Sequence, residues 1–433
     1  MLTDLQSTEP IDPMMDNIIE IAGGPLPDRV PVAKVTGAYG KFTVTADVKK
    51  YTSAKLFGWV GKSTKVLVRF GMPGCEEGCA DSERSQKEFS IRFYTENGDW
   101  DLLGTNLPVL FTNELNRYNS YFQLSQRNER TNLKDTSDLW RFLSAPESLQ
   151  YTLMLMSDKG TPVGYRHMKG YGVHTYSFVN AKNERVWIKF HLKPHQGSKD
   201  LTMEEAEQMR AADMDHASRD LVTSIENGRF PKWTLSFQVM TEQEARECCF
   251  NPFDVTKVWP QGEFPLHEIG VLTLDSLADN IENDIVNANL SLSNIVDGIG
   301  YSPDKMLQAR LHEYGRRERL VKPLYSIHKI REEKRLEANE SLPDYNNYPG
   351  YEHDHLTQSR ALLHRAMVEP DRANLAGNMI RSMQIISGNN REVIIKQHLF
   401  TLSQLDEDLA QMVSAGLGID LENVLQREEL AGK

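Results

Sequence analysis

Between residues 28 and 275 apolar and polar side chains alternate in short runs separated by turn signals, and no other property restricts the fold so severely. Lys65–Phe70 (KVLVRF), Phe89–Tyr94 (FSIRFY) and Val186–Leu192 (VWIKFHL) alternate with period two and are rich in β-branched and aromatic residues. Successive side chains of a strand point to opposite faces, so each run predicts a strand with one face buried. Several such strands predict a closed antiparallel β-barrel, which leaves no edge to manage. Helical patches interrupt the alternation, notably over 202–227, where Thr202 opens a T-x-x-E capping box ending at Glu205. Beyond residue 356 the period becomes helical. Leu375–Ile385 and Val393–Leu402 predict packed amphipathic helices, so the class is α+β.

The same patterns divide the chain. Residues 1–27 are polar and acidic, carry Pro10, Pro13, Pro25 and Pro27, and read as an arm. Residues 28–275 are the barrel with its helical insertions. Residues 276–350 form a long segment of mixed pattern, in which Lys329–Ala338 is charged enough to be solvated surface and Asp344–Gly350 is a turn-rich boundary. Residues 351–433 make a C-terminal helical domain. No internal repeat is apparent.

Charge and hydropathy exclude several classes. The formal charge is −12, from 49 basic and 61 acidic residues, with no basic tract to hold nucleic acid or an anionic membrane. No apolar run approaches the roughly 20 residues that a spanning helix needs. The N-terminus lacks the basic start and apolar stretch of a secretory signal, so cytoplasm is the expected location. The cysteines fall into two clusters, Cys75 with Cys79 and Cys248 with Cys249. Neither has the usual gap of a zinc knuckle, and free thiols in a reducing compartment are expected in preference to zinc. Gly37-x-x-Gly40 is an ordinary turn, with no strand–glycine–helix nucleotide fingerprint around it.

Residues 302–314 (SPDKMLQARLHEY) carry the chemistry. Arg310 stands four residues before Tyr314, one helical turn away on the same face. A guanidinium beside a phenol oxygen favours the phenolate, and tyrosinate is one of the few axial ligands used for haem iron. By itself the pair fits a surface cation–aromatic contact equally well.

Flanking segments decide between them. Tyr-Gly-Lys-Phe-Thr-Val at 39–44, Phe-Tyr-Thr-Glu-Asn-Gly-Asp-Trp-Asp-Leu at 93–102, Arg-His-Met-Lys-Gly-Tyr-Gly at 166–172, Lys-Phe-His at 189–191 and Asn-Pro-Phe-Asp-Val-Thr-Lys-Val-Trp-Pro at 251–260 occur in order. Together with the 302–314 run they resemble the monofunctional haem catalases. The resemblance implies an eight-stranded barrel, a wrapping segment over 276–350 and a C-terminal helical domain. It also implies a haem b cofactor and a homo-oligomer, tetramer or dimer, whose arms reach across subunits.

Residue by residue, the resemblance makes Tyr314 the iron ligand and Arg310 the arginine that keeps it ionised. Asp304 and His191 become the acid and histidine behind that arginine. Arg29 and Arg69 become propionate-binding arginines, with Arg319 the candidate for a third. On the distal side the family's Arg-Val-Val-His-Ala-Lys is here Arg29-Val30-Pro31-Val32-Ala33-Lys34, so Val32 replaces the catalytic histidine. Gly104-Thr105-Asn106 places Thr105 where the catalytic asparagine belongs, and Gly71 where a serine supports the histidine. Tyr118 and Tyr121 align with two channel phenylalanines. Of the NADPH pocket, His174 and Val258-Trp259 match, but the next contact histidine is Gln261, so NADPH is not expected.

Hydrogen peroxide dismutation needs a base that moves a proton between the two oxygens, and valine cannot do so. The leading expectation is therefore a haem-dependent biosynthetic oxidoreductase with weak or no catalase activity. It would oxidise or rearrange a small organic hydroperoxide or N-oxygenated compound, with the hydroxyls of Thr105, Tyr118 and Tyr121 orienting it. Two alternatives remain: a catalase or peroxidase in which Lys34 or Thr36 supplies the base, and a non-catalytic haem-binding protein.

Overall fold

The computed structural model describes residues 34–76, 78–124, 132–133, 137–312, 342–349, 354–388 and 390–431. Arg29, Val32, Tyr314, Arg319, the 1–27 arm and the 329–338 charge run lie outside these residues.

Ten strands form the sheet: β1 (Val35–Val44), β2 (Ser63–Gly71), β3 (Glu88–Thr95), β4 (Gly98–Thr105), β5 (Gly170–Tyr171), β6 (Tyr176–Val179), β7 (Arg185–Pro194), β8 (Lys232–Met240), β9 (His267–Ser276) and β10 (Ile299–Gly300). All pairings are antiparallel. The ring β1-β2-β3-β4-β5-β7-β8-β9 closes through β9–β1, while β6 and β10 extend beside β7. The three alternating runs all lie in strands, β2, β3 and β7. Their buried partners face inward, where Phe42, Phe57, Phe93, Trp100, Phe178, Phe190 and Phe237 fill the barrel. Phe93 and Trp100 stack at 4.7 Å, and Phe42 meets Phe93 edge-on at 5.5 Å. At Gly40 the β1–β9 register slips by a residue, and a Cβ there would stand 2.0 Å from the Thr273 carbonyl oxygen. Only glycine allows the two strands to close the ring there.

The helices are α1 (Leu115–Leu124), α2 (Ser137–Leu143), α3 (Leu149–Met156), α4 (Met203–Ala212), α5 (His216–Glu226), α6 (Glu242–Glu247) and α7 (305–312). Toward the C-terminus follow α8 (Thr357–Ala361), α9 (Glu369–Gln384), α10 (Arg391–Leu405), α11 (Glu407–Leu417) and α12 (Leu421–Ala431). The Thr202–Glu205 capping box is formed, but the 202–227 patch is two helices broken at Asp213–Asp215. Helices α8–α12 share one apolar core with the segment after β4. Leu107, Val109, Phe111, Trp140 and Tyr151 pack with Leu375, Met379, Leu399 and Val413. No helix among the described residues is long and apolar enough to cross a membrane.

Inside that helical core His398 is fully buried, with neither ring nitrogen hydrogen-bonded among the described residues, edge-on to Trp140 at 5.0 Å. Burial pushes its pKa down to about 3. The folded state therefore keeps it neutral while the unfolded chain takes up a proton below about 6.5. Stability falls as pH drops from about 6.5 toward about 3, by about 1.4 kcal/mol per unit from this group. His398→Leu is expected to remove that increment, seen as a smaller loss of urea-unfolding stability between neutral pH and about 4.5. An identical loss in both proteins would mean that His398 is hydrated.

Candidate functional site

Helix α7 begins where Asp304 caps it. The Oδ1 atom accepts the Met306 and Leu307 amides at 2.9 and 3.0 Å, a local reason for an Asp ahead of an apolar helical run. The other oxygen, Oδ2, faces His174 Nδ1 at 2.7 Å, and His174 Nε2 faces Arg310 Nη1 at 2.8 Å. Arginine can only donate, so Nε2 accepts and the Nδ1 proton is given to Asp304, which fixes a neutral tautomer. Burial lowers the His174 pKa, against the pull of Asp304, in keeping with that assignment. His174 and Asp304 are fully buried and Arg310 is half-buried, so the relay holds the guanidinium in one place.

Val173, just before His174, has φ +60°, a left-handed conformation costly for a β-branched residue. The buried Lys189 ammonium donates to its carbonyl at 2.9 Å, and burial pushes the Lys189 pKa down to about 8.

The sequence reading placed His191 behind Arg310 and His174 at the NADPH wall. The structure puts His174, not His191, behind Arg310. His191 sits on β7 opposite Tyr171, pairs with Gln238 Oε1 at 2.8 Å, and is pushed down to about 4 by burial. It is His174, between β5 and β6, that the topology carries to α7.

Arg69 on β2 is buried and bound to Glu88 on β3: Nε and Nη2 both donate to Oε1, at 2.9 and 2.8 Å, while Nη1 donates to the Ala288 carbonyl at 3.2 Å. These contacts commit three of its N–H groups, and the remaining Nη hydrogens are what Arg69 has left for a cofactor carboxylate. Arg310 is a half-buried guanidinium suited to anionic oxygen and braced from behind by His174. Glu88 was not singled out by the sequence reading.

The distal candidates are placed as follows. Thr105 ends β4, and its hydroxyl donates to the Leu107 carbonyl at 2.7 Å; the expected role for that proton in orienting a bound molecule is therefore not open to it. Asn106, next to it, is used up by Lys87 N and the Lys159 carbonyl. Tyr118 and Tyr121 on α1 both lie against Phe111, at 5.7 and 4.4 Å between ring centres, and Arg310 stands 5.5 Å over the Tyr118 ring. The Tyr121 hydroxyl pairs with that of Tyr151, and burial pushes both phenols up. The structure thus brings Tyr118, Tyr121 and Arg310 together, and sets Thr105 apart with Glu88 and Gly71.

Lys34 does not supply a base. Its ammonium touches Asp215 at 2.8 Å, Asp81 at 3.0 Å and the carbonyls of Cys79 and Met214 at 2.7 and 3.0 Å. Burial works against its charge, but the hydrogen bonds to Asp215 and Asp81 outweigh this and hold its pKa above the ordinary value. Thr36 opposes Phe70 in the β1–β2 register and faces the barrel interior with it. The free-thiol expectation also fails in part. Cys75 and Cys79 are joined as a disulfide with Cα atoms 6.2 Å apart, because backbone turns at Met72–Cys75 and Glu76–Cys79 fold the loop on itself. Cys248 and Cys249 remain thiols.

A family model described as Catalase matches residues 13–328. The chain belongs to the catalase family. It is 38% identical over 453 aligned positions to the catalase of Methanosarcina barkeri (strain Fusaro / DSM 804), covering 95% of this chain and 89% of that one. It is 47% identical over 291 positions to the catalase of Helicobacter pylori (strain ATCC 700392 / 26695), covering 67% of this chain and 58% of that relative, less than two thirds of its length. Among solved structures, a bacterial catalase aligns over 93% of this chain and 89% of its own, at 29% identity and a TM-score of 0.79. Catalase A from Saccharomyces cerevisiae covers 96% of both chains at 27% identity and the same TM-score. The closed eight-stranded barrel with C-terminal helices is the fold of these proteins.

Proposed function

We propose that this catalase-family member is a haem-dependent oxidoreductase acting on a small organic hydroperoxide or N-oxygenated compound, with little disproportionation of hydrogen peroxide. One observation carries the reading: the first histidine of the chain is His167, so the N-terminal segment that bears the catalytic histidine in the family offers none. Valine at 32 and threonine at 105 stand at the two distal positions, and Lys34 is held as a saturated cation. Arg310, braced by His174 and Asp304, would hold Tyr314 as the anionic ligand one helical turn on. Arg29, Arg69 and Arg319 would hold the propionates. The haem supplies a ferric centre at which O–O or N–O bonds are cleaved. The residues expected around it would bind and orient the substrate: an apolar side chain at position 32 would favour a drier pocket, and Tyr118 would offer an organic molecule an aromatic face.

Supporting roles follow from the family. The arm over 1–27 would reach across to other subunits of a homo-oligomer, the segment over 276–350 would be the wrapping segment, and the working compartment would be the cytoplasm. The test compares oxygen release from hydrogen peroxide with loss of cumene hydroperoxide, using the haem-loaded protein. Turnover of the organic peroxide with oxygen release about 10²–10⁴-fold below a relative that has the histidine is expected. Oxygen release at that relative's rate would overturn the proposal.

A further inference from the structure

We propose that Glu88 takes and returns the proton of a bound hydroperoxide in the bond-cleavage step, while the second peroxide oxidation that would complete disproportionation still lacks the histidine replaced at position 32. The inference rests on the proposed function in one respect, that a peroxide binds here.

The sheet register carries the argument. Gly71 on β2 is directly opposite Glu88 on β3, and Glu88 is directly opposite Thr105 on β4. Directly opposed residues of antiparallel strands project from the same face, so the three form one transverse row. Its two outer members stand where the family has the serine supporting the histidine and the catalytic asparagine. The carboxylate therefore lies between two positions that no longer carry the family's serine and asparagine, Gly71 with no side chain and Thr105 with its hydroxyl spent on Leu107.

Further along the row are Tyr171, opposite Thr105, and His191, opposite Tyr171. Burial pushes the Tyr171 phenol up to about 12, and His191 is committed to Gln238 and pushed down to about 4. Neither serves as a proton carrier near neutral pH.

The geometry of Glu88 agrees. The residue is 7% exposed. Arg69 is its diagonal neighbour across β2 and β3, opposite Ser90, and binds Oε1 with two N–H groups, which fixes the plane of the carboxylate. Oε2 is buried and has no hydrogen-bond partner among the described residues. An oriented carboxylate with one oxygen buried and unsatisfied is costly for stability alone, and such groups mark functional positions. The step assigned to it is a proton transfer. The O–H bond of a bound hydroperoxide breaks, its proton passes to Oε2, and the hydroperoxide anion remains; the same proton is then available to the oxygen that leaves.

Cyanide association with the ferric haem-loaded protein tests this by stopped flow, because hydrogen cyanide arrives neutral and must give up its proton to bind. Glu88→Gln is expected to slow association about 10²-fold while the Soret band shows haem still bound. Glu88→Asp, which keeps a retracted carboxylate, is expected to fall between, about tenfold slower than the parent. Rates within about threefold of the parent would overturn the assignment. If Glu88→Gln does not take up haem, Glu88→Asp decides by the same criterion. Loss of cumene hydroperoxide is measured in parallel. Slow cyanide binding by Glu88→Gln, with no organic peroxide consumed by the parent, keeps Glu88 and rejects the organic substrate. Consumption by the parent, with unchanged cyanide and peroxide rates in Glu88→Gln, rejects Glu88 and keeps the substrate reading.

Discussion

Val32→His raises oxygen release from hydrogen peroxide by about 10²-fold or more in the haem-loaded protein, measured at an oxygen electrode. An imidazole has its ordinary pKa near working pH, so it both removes the proton from one peroxide oxygen and returns it to the other. The substituted chain would regain Arg-Val-Pro-His-Ala-Lys over 29–34, one residue from the family's motif. The gain stays below that of a full catalase, because Gly71 cannot steady the ring and the Thr105 hydroxyl is spent on Leu107. Oxygen release unchanged from the parent would show that the distal deficit lies elsewhere than residue 32.

Asp304→Ala destabilises the chain by about 2–4 kcal/mol, read as a fall in urea-unfolding free energy. Two losses add. Removing the acceptor of His174 leaves its buried Nδ1 proton without the carboxylate it is given to, a loss of about 1–3 kcal/mol. Removing Oδ1 uncaps α7 and orphans the Met306 and Leu307 amides, worth about another 1 kcal/mol. Asp304→Asn retains one oxygen for the cap and is expected to lose less. A fall below about 1 kcal/mol for the alanine variant would mean that water satisfies the relay.

The barrel was readable because its interior is built from alternating aromatic and β-branched residues, and period two has one structural meaning at that length. The two-residue strands β5 and β10 were not, since so short a run carries no period. The choice between His174 and His191 failed for a reason of topology. Each stands in a motif of the family, and only the path from β5 through β6 shows which of them reaches α7. Glu88 escaped notice because it precedes the alternating FSIRFY run by one residue. Its partner Arg69 is 19 positions away, a diagonal contact visible only once β2 and β3 are in register. The Cys75–Cys79 pairing depended on loop turns that local composition does not specify. The distal substitutions run the other way: Val32 and Thr105 are legible as letters against a family motif.

The apolar core shared by α8–α12 and the segment after β4 has a consequence for how such a protein can be altered. Leu107, which accepts the Thr105 hydroxyl through its carbonyl, is itself packed among the C-terminal helices. A premature stop codon or a protease cut beyond α7 would not trim an appendage; it would strip the backing from the segment that follows β4. Lesions far along the gene should therefore present as loss of the shared core, and a C-terminal reporter would read the integrity of that core as much as expression.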